Sequence, residues 1–396
     1  MNNWEYRKIG DVCIVERGGS PRPIDQFITE DKNGINWIKI GDTTESMYIT
    51  ETAQKIKPEG MKKSRYVEPG DFLLSNSMSF GRPYILKIDG CIHDGWLVLR
   101  DKDEIFDKRF LYYYLSSKTT YQKFKAMAVG GVVNNLNSEM VRNVDVPVPS
   151  KDEQIEIADL LDKMSNVINL RKQELQHLDN LIKARFVELF GEPVSNPMGW
   201  DKVNISAVVG GKVSNGFFAK RDDYCADGNV KVLGVAHVVN RMYSNTEDLP
   251  TTNGSETDIA KYGVKYGDML FCRSSLVAAG IGKASIVPKG TPNNVLFECH
   301  VIRLPLDLNK CVPEFMQALS TTDYFRNQVI AQSKTATMTT IGQDGILKTD
   351  IILPPLELQK QFADFVAQVD KSKFAVQKAL DETQLLFDSL MQKYFG

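Results

Sequence analysis

Two long stretches of the chain carry apolar side chains at alternating intervals of three and four residues. In each stretch, seven of nine such positions are apolar. This spacing places the apolar side chains on one face of an α-helix and is typical of a coiled coil about four heptads long. The positions are 161, 164, 168, 171, 175, 178, 182, 185 and 189 in the first stretch, and those 205 residues later in the second.

The polar exceptions along this apolar face differ between the two stretches. Arg171 and Arg185 interrupt the first stretch, and Lys373 and Thr383 interrupt the second at other positions. Two helices with complementary exceptions fit pairing with each other better than two separate homodimers, because buried polar residues often fix register and orientation. The apolar face alone leaves a structural helical hairpin and a dimerisation zipper both open.

The same offset of 205 residues relates other parts of the chain. Gln154-x-x-x-Ala158-Asp159 returns as Gln359-x-x-x-Ala363-Asp364, and Pro149 returns as Pro354. Phe190-Gly191 returns as Phe395-Gly396. No insertion or deletion separates the two copies over about 40 residues, so the length of this segment matters. Before each helix, a β-branched run followed by prolines predicts an edge strand.

The rest of the chain repeats more loosely. Trp4-x-x-x-x-Ile9 resembles Trp200-x-x-x-x-Ile205 at an offset of 196, and the Gly-Asp strand at residue 70 returns at an offset of 197. These matches predict an α+β protein, with two mixed α/β domains separated by two long helices that form an antiparallel, pseudo-two-fold coiled coil. The predicted bounds are 1–150, 151–192, 193–350 and 351–396. Residues 106–125 are expected to form one amphipathic helix.

Sequence motifs for catalysis and metal binding are missing. The chain has no G-x-x-x-x-G-K-[ST] loop, no G-x-S-x-G elbow and no Asn/Asp-Pro-Pro-Tyr/Phe motif, and no histidine stands at metal-ligand spacing. We therefore expect no metal, no bound cofactor and no independent catalysis. Six cysteines without a C-x-x-C pair predict free thiols. With no signal peptide and no apolar run that could span a membrane, we expect a cytoplasmic location.

Polar, glycine-rich loops carry the most suggestive side chains. Arg, Lys, Asn, Ser and Thr read base edges and hold phosphates, and glycine lets a backbone approach closely. The alternative is that such loops are only solvated surface. The candidate DNA-contacting residues are Arg17, Ser20, Arg22, Lys39, Asn76, Ser77, Arg82, Asn134 and Asn135 in the first globular part, and Asn215, Phe217, Lys220, Arg221, Arg273, Ser274, Lys283, Lys334 and Thr337 in the second.

The charge balance argues against a chain that grips DNA by itself. Residues 1–150 carry a net charge of +1 and residues 192–350 a net charge of 0, within a total of −2. Tight autonomous DNA binding usually needs a basic surface, since counterion release supplies much of the affinity. We therefore favour a partner that supplies much of the grip on the phosphates.

The sequence resembles a known family, the specificity (S) subunits of type I restriction-modification enzymes. The segment Val146-Pro147-Val148-Pro149-x-x-x-Glu153-Gln154-x-x-Ile157 is similar to the family's signature at the start of each conserved helix. The second copy, which begins at Leu353-Pro354-Pro355, departs from the signature because Leu358 replaces the glutamate. The resemblance covers the whole chain.

The resemblance implies a division of labour between subunits. Each globular part would read one half of a split target in double-stranded DNA, and the paired helices would set the spacing. The helices would also dock two methyltransferase (modification) subunits, and restriction/translocase subunits would join for cleavage. S-adenosylmethionine, ATP and magnesium would belong to those partners. Two alternatives stay open: an enzyme that acts alone, such as a nuclease with a degenerate site, and a coiled-coil adaptor that does not bind DNA.

Overall fold

The computed structural model describes residues 4–76, 80–101, 103–128 and 135–396. The chain divides into two compact units. The first unit contains residues 1–172 and 378–396, and the second contains residues 173–377. Each unit therefore combines one globular part with the first half of one long helix and the second half of the other.

The first unit contains short strands and helices that precede a long helix. Its strands are β1 (Glu5–Lys8), β2 (Cys13–Arg17), β3 (Ile28–Thr29), β4 (Ile35–Ile38), β5 (Tyr48–Ile49), β6 (Lys55–Ile56), β7 (Arg65–Val67), β8 (Phe72–Ser75), β9 (Pro83–Leu86), β10 (Gly90–Ile92), β11 (Trp96–Asp101) and β12 (Asp145–Val148). Its helices are α1 (Ile9–Val12), α2 (Pro58–Met61), α3 (Lys108–Ser116), α4 (Lys118–Ala128) and α5 (Ser138–Arg142), and α6 (Lys151–Phe190) begins here.

The strands of the first unit form two five-stranded sheets and one two-stranded sheet. The strand orders are β2-β11-β8-β9-β5, β3-β6-β4-β10-β7 and β1-β12. Leu97 and Leu99 of β11 face the core that contains α3 and the start of α6. Trp96 and Val98 of the same strand face the second five-stranded sheet. This alternation produces three layers: helices, sheet and sheet.

The second unit repeats this plan with different loop lengths. Its strands are β13 (Asp201–Asn204), β14 (Ser214–Asn215), β15 (Val230–Leu233), β16 (Thr251–Thr252), β17 (Asp268–Cys272), β18 (Ser274–Ser275), β19 (Ala284–Ile286), β20 (Val295–Phe297), β21 (Val301–Pro305), β22 (Lys334–Thr335), β23 (Thr339–Thr340) and β24 (Asp350–Leu353). Its helices are α7 (Val235–Val238), α8 (Glu256–Tyr262), α9 (Pro313–Ser320), α10 (Asp323–Ala331), α11 (Gln343–Leu347) and the first part of α12 (Leu356–Phe395).

The main sheet of the second unit has the order β14-β21-β17-β19, with smaller sheets β16-β15-β20, β13-β24 and β18-β23-β22. Ile302 and Leu304 of β21 face the helices, and Val301 faces the smaller sheet. The main sheet therefore packs against the helices on one face and against the smaller sheet β16-β15-β20 on the other, as the main sheet of the first unit packs between its helices and its second sheet.

The two long helices have the same length, 40 residues each. Within each unit they pack antiparallel, because the start of one helix shares a core with the end of the other. In the first unit, Ile157 and Leu161 lie in the same core as Phe395. In the second, Phe186 and Phe190 lie in the same core as Phe362 and Val366. The predicted fold class, mixed α/β domains with a coiled coil of two long helices, is confirmed.

In the second unit, two polar side chains on the coiled-coil face make hydrogen-bond, ion-pair or ring contacts. Lys373 Nζ donates to Asp179 Oδ1 across the helix pair at 2.6 Å. The Arg185 guanidinium lies over the Phe365 ring at 5.6 Å and pairs with Glu188 at 2.8 Å. The Lys373–Asp179 and Arg185–Phe365 contacts join the two helices at points where the apolar pattern is interrupted.

A buried glutamine ties each long helix to its globular part. Gln154 Oε1 accepts a hydrogen bond from Asp107 N–H at 2.7 Å. Gln154 Nε2 donates to the carbonyl oxygens of Ile105 at 3.1 Å and Pro149 at 3.0 Å. Both its acceptor and its amide donors are thus used inside the protein, as a buried amide requires.

Gln359 repeats this arrangement with residues that lie 205 positions later. Its Oε1 accepts from Val312 N–H at 2.9 Å. Its Nε2 donates to the carbonyl oxygens of Lys310 at 3.4 Å and Pro354 at 2.7 Å. Gln154 is 1% exposed and Gln359 is 0% exposed. The offset of 205 is therefore the sequence record of a repeated hydrogen-bond set.

The second copy compensates for its missing glutamate. In the first unit, the Trp4 indole N–H donates to Glu153 Oε1 at 2.9 Å. In the second unit, Leu358 stands in the place of that glutamate, and the Trp200 indole N–H donates to the Phe190 carbonyl oxygen at 2.9 Å. The tryptophan keeps a partner in both units.

The expectation of one helix over residues 106–125 is wrong. Helix α3 ends at Ser116 and α4 begins at Lys118, because Ser117 adopts an extended conformation with φ −65° and ψ 149°. The Ser117 hydroxyl meets Thr120 Oγ1 at 3.0 Å and accepts from Thr120 N–H at 3.2 Å, which starts the second helix. A serine that caps a new helix interrupts an apolar period that otherwise continues.

We predict that the buried glutamines stabilise both units. Replacing Gln154 or Gln359 with Leu removes the partner of one backbone N–H and two backbone carbonyls, and should lower the free energy of unfolding by roughly 1–3 kcal/mol. Denaturant unfolding followed by circular dichroism measures this change. Gln173→Leu, at an exposed position of α6, is the matched control. Equal stability of all three variants would contradict the structural role.

Candidate nucleic-acid interface

In the main sheet of the first unit, the ends of four strands lie along one side of the sheet. We call this side, which runs across the strands, the edge. The register pairs Arg17 with Leu97, Trp96 with Ser75, and Leu74 with Pro83. The end of β2, the start of β11, the end of β8 and the start of β9 therefore lie side by side. The loops that leave this edge form what we name the first loop surface: Arg17–Arg22, Asn76, Arg82 and His93–Gly95.

Several predicted site residues of the first loop surface converge on Asp94. Arg17 Nε and Asn76 Nδ2 donate to the Asp94 carbonyl oxygen at 3.1 and 2.8 Å. Ser20 Oγ donates to Asp94 Oδ1 at 2.6 Å, and Arg22 Nη2 lies 3.7 Å from Asp94 Oδ2. The sequence prediction included these four residues but not Asp94, which all four contact.

A concave surface of about 880 Å³ adjoins this cluster. Ser20, Arg22 and Lys39 of the predicted set line it, together with Gln54 and His93. Lys39 Nζ donates to Gln54 Oε1 at 2.8 Å. The Gly95 N–H donates to His93 Nδ1 at 2.6 Å, and burial lowers the pKa of His93. The imidazole is therefore a neutral structural support at physiological pH.

Arg82 and Asn135 lie near the same edge. Arg82 Nη2 donates to the Thr44 carbonyl oxygen at 3.3 Å, and its guanidinium lies 5.3 Å from the centre of the Tyr84 ring. The Leu136 N–H donates to the Asn76 carbonyl oxygen at 3.0 Å, which brings the exposed Asn135 beside the loop surface. Ser77 and Asn134, also predicted, lie outside the described residues.

The second unit has an equivalent edge. The register pairs Asn215 with Ile302, Cys272 with Val301, and Phe271 with Ala284. We name the loops at this edge the second loop surface: Asn215–Arg221, Arg273–Lys283, Glu298–His300 and Lys334–Thr340. It contains all nine predicted site residues of the second globular part.

Hydrogen bonds hold the second loop surface together. Arg273 Nη1 donates to the Cys299 carbonyl oxygen at 3.2 Å, and the Ser274 hydroxyl lies 3.1 Å from His300 Nδ1. Strand β23 pairs with both β18 and β22, which places the exposed Lys334 and Thr337 on a hairpin beside Ser274.

The remaining predicted residues of this surface differ in exposure. Lys283 Nζ donates to Asn240 Oδ1 at 2.7 Å. Lys220 and Arg221 are exposed, whereas Phe217 is half-buried and packs edge-to-face on Tyr262 at 5.8 Å. One side of Phe217 therefore packs against Tyr262 and supports the loop, and the rest of the side chain is exposed.

Sequence reasoning missed three features of these surfaces. Asp94 and Gln54 were not chosen, because a carboxylate repels a polyanion and no sequence motif marked Gln54. Leu276 and Val277 were not chosen either, although they are 82% and 63% exposed beside Arg273. The apolar run from Leu276 to Ala279, directly after three polar residues, was the available signal for the last two.

The two loop surfaces share one backbone frame. Asn76 and Arg273 each follow the end of the central strand, and each donates from its side chain to the carbonyl oxygen two residues before the neighbouring strand. His93 Nε2 lies 3.3 Å from the backbone N of Ile40, and Glu298 Oε1 accepts from the Val235 N–H at 2.8 Å. Ile40 and Val235 each begin a short helical turn.

Close backbone contacts repeat at two glycines of this frame. A Cβ atom at Gly18 would lie 2.1 Å from the His93 carbonyl oxygen, and one at Gly216 would lie 2.2 Å from the Glu298 carbonyl oxygen. In each unit, the backbone at this glycine therefore passes the backbone of the loop before β11 or β21 at a distance that only glycine allows.

The functional groups in the shared frame differ between the units. Asn76 corresponds to Arg273, His93 to Glu298, and Asp94 to Cys299. The hydrogen bond from Ser20 lowers the pKa of Asp94, which keeps it a carboxylate at neutral pH. Burial raises the pKa of the Cys299 thiol, which keeps it neutral. The same geometry thus presents different hydrogen-bonding groups in the two units.

Length differences between the units occur at both ends of the main sheets. The loop between β8 and β9 spans residues 76–82, and its counterpart between β17 and β19 spans residues 273–283. It is four residues longer in the second unit. The turns that follow β9 and β19 differ by a similar amount, whereas from β10 and β20 onward the offset is 205.

Three further properties concern metal binding, membrane spanning and cysteine chemistry in the described part of the chain. No group of three or more His, Cys, Asp and Glu side chains there is arranged to hold a metal ion. No helix there is long and apolar enough to cross a membrane. All six cysteines are free thiols.

A chain that presents one loop frame twice, with different side chains each time, has the construction of a two-site recognition protein. The family profile described as type I restriction modification DNA specificity domain matches residues 1–180 and again 197–383. The chain therefore belongs to the family of type I restriction-modification DNA specificity proteins. The predicted family and the predicted role in recognising a DNA target are confirmed.

Similar proteins match over most of the chain. The MjaVIII specificity subunit of Methanocaldococcus jannaschii is 23% identical over 405 residues, covering 95% of this chain and 90% of that protein. The EcoKI specificity subunit of Escherichia coli is 22% identical and covers 89% of this chain and 78% of its own length.

Solved structures share the fold. The S subunit of a type I restriction-modification system from M. genitalium superposes with a TM-score of 0.57 at 13% identity, covering 100% of this chain and 98% of that one. A chain from a structure of type I complex assembly and conformational transition gives a TM-score of 0.56 at 17% identity, with coverage of 99% and 97%.

We predict that Gly18 and Gly216 are required for the shared frame. Replacing either with Ala forces a backbone shift and should lower the free energy of unfolding by about 1–3 kcal/mol, measured by denaturant unfolding. Gly41→Ala and Gly342→Ala are the controls, because nothing lies within 4 Å of a Cβ atom at either position. Gly18→Ala and Gly216→Ala variants as stable as these controls would show that the close crossings are not needed.

Proposed function

We propose that each globular part reads one half of a bipartite target in double-stranded DNA and that the chain itself performs no catalytic step. Residues 1–150 and 193–350 would be the two reading domains. Residues 151–192 and 351–396 would be the spacer helices. The names of the relatives, all specificity subunits, support this division of labour.

The shared backbone frame with different side chains carries the proposal. A protein that reads two unrelated half-sites needs one docking geometry and two sets of base-reading groups. The first loop surface offers Arg17 and Arg22, and the second offers Arg273, Ser274 and Lys334. Asn76, a predicted reading residue, is 2% exposed and its amide supports Asp94 instead. Arg pairs well with guanine O6 and N7.

Exposed cations at the rims would hold phosphates. Lys220, Arg221 and Lys334 are exposed on the second loop surface, and Arg82 is exposed on the first. Phosphate contacts fix register and orientation, while base contacts supply the sequence preference. The exposed Leu276 and Val277 would add apolar contact to base edges, as a thymine methyl group requires.

The low net charge suggests that partner subunits supply part of the positively charged surface that contacts the DNA. We propose that two methyltransferase subunits dock on the chain and enclose the duplex, and that restriction/translocase subunits join them. S-adenosylmethionine, ATP and magnesium would be bound by those subunits. Equal helices, tied to each globular part by the same glutamine contacts, would hold the two readers at a set spacing.

We predict that Arg82→Ala and Lys334→Ala weaken DNA binding by the methyltransferase assembled from this chain and its modification subunits. Loss of one phosphate contact should weaken binding several-fold at low salt and reduce the salt dependence of the affinity. Fluorescence anisotropy with a target duplex over a range of salt concentrations measures both quantities.

Lys87→Ala and Lys289→Ala are matched controls. Both lysines are exposed. Lys87 directly follows β9 and Lys289 lies three residues after the end of β19, at the opposite edge of the same sheets. The proposal requires that they leave affinity and salt dependence unchanged. If the control variants weakened binding as much as the loop variants, the DNA-binding edge would be wrongly placed.

A further inference from the structure

We propose that Asp94 is a specificity-determining residue that accepts a hydrogen bond from the exocyclic amino group of a base in the first half-site. The chemistry fits cytosine N4 and adenine N6, which both present an amino donor in the major groove. The inference rests on the proposed function and deepens it, because it names the group in the first unit that would select the base.

The side chain of Asp94 is positioned at the centre of the first loop surface. Arg17 and Asn76 hold its backbone carbonyl oxygen, so the loop is fixed by main-chain contacts that do not use the carboxylate. Ser20 Oγ donates to Oδ1 at 2.6 Å and fixes the carboxylate rotamer. A reading group needs this kind of preorganised support.

The other carboxylate oxygen, Oδ2, is not held by a side chain of the described residues at hydrogen-bond distance. Arg22 Nη2 lies 3.7 Å from Oδ2, which is beyond hydrogen-bond distance, and the Asp94 side chain is 47% exposed. Oδ2 therefore has capacity to accept a hydrogen bond from a ligand at this surface. An ionised carboxylate accepts hydrogen bonds and cannot donate them.

Neighbouring cations make a carboxylate tolerable at a DNA surface. Arg17, Arg22 and Lys39 lie around Asp94 and offset its repulsion from phosphates. A carboxylate that loses water at an interface still costs free energy unless a donor replaces that water. Asp94 would therefore penalise guanine and thymine, whose major-groove groups at this position are acceptors, more than it would favour an amino base.

The second unit supports a role in selection rather than in folding. Its equivalent position is Cys299, whose backbone carbonyl oxygen accepts from Arg273 as that of Asp94 accepts from Asn76. The frame thus forms without a carboxylate. A group that the frame does not require, and that differs between the readers, is where a difference in base choice would reside.

The test uses the methyltransferase assembled from this chain and its modification subunits, with methylated sequences mapped across a genome after co-expression. Asp94→Asn keeps the shape and the acceptor for Ser20 but can present an amide donor in place of Oδ2. We expect the preference for an amino base to fall by about tenfold or more at one position of one half-site. The other half-site and the spacer should stay the same.

Two controls separate this effect from a general defect. Asp89→Asn changes a carboxylate just before β10, whereas Asp94 follows that strand, and should leave the motif unchanged. Cys299→Ser changes the equivalent position of the second unit and should leave the first half-site unchanged. Both variants keep the modification activity as an internal reference.

A third measurement uses the unaltered protein, so that a folding defect cannot obscure the result. Target duplexes that carry 2-pyrimidinone in place of cytosine, or purine in place of adenine, lack the amino group at one position. Replacing the base read by Asp94 should weaken binding by the wild-type complex about tenfold and should have little effect on the Asp94→Asn complex. The replacement that has this effect distinguishes cytosine from adenine.

A split motif from the wild type, with an unchanged motif from Asp94→Asn or equal losses at all positions, overturns the role of Asp94 and leaves the proposed function intact. A wild type that confers no split motif overturns the proposed function and this inference with it.

Discussion

The hydrogen bonds of one buried glutamine, made twice, are the constraint on which the rest of the structure depends. Gln154 and Gln359 join the start of a long helix to the end of the strand before it and to the loop before α3 or α9. Three structural elements meet at each side chain. A single inserted residue between them would leave at least one buried polar group without its partner, at a cost of roughly 1–3 kcal/mol.

This constraint explains why one part of the chain keeps its length and another does not. From β10 and β20 to the helix ends the offset is 205, because that segment runs through the glutamine contacts and ends on aromatic packing. Phe395 packs on Phe110 at 5.4 Å, and Phe190 packs on Phe315 at 4.8 Å. Phe110 and Phe315 are again 205 residues apart. Loops outside this segment can change length without disturbing these contacts.

Much of the fold was predictable from the sequence because its signals are local or periodic. The 3-4 spacing predicted the long helices, and the constant offset indicated paired elements of fixed length. The interruption at Ser117 was not predictable from apolar periodicity, since a capping serine does not alter that period. Trp200 could be aligned with Trp4, but its new acceptor at Phe190 could not be foreseen from the loss of a glutamate.

The candidate site shows the same division. Glycines and basic residues marked Arg17–Arg22 and Asn215–Arg221 as loops, and the structure brings them to equivalent sheet edges. Asp94 escaped notice because its importance depends on contacts with Ser20, Arg17 and Asn76, which are distant in sequence and meet only through strand register. Composition can indicate a class of binding surface, whereas the group that selects a base depends on long-range contacts.

The central claim is that the helices set the spacing of the target and the loops set its bases. Its most direct test inserts one heptad into each long helix, after Lys172 and after Gln377, and maps methylated sequences after co-expression with the modification subunits. A heptad adds about 10 Å of helix. The account predicts a spacer longer by roughly one to three base pairs, with both half-sites unchanged. Altered half-site bases, or an unchanged spacer in a fully active complex, would contradict it.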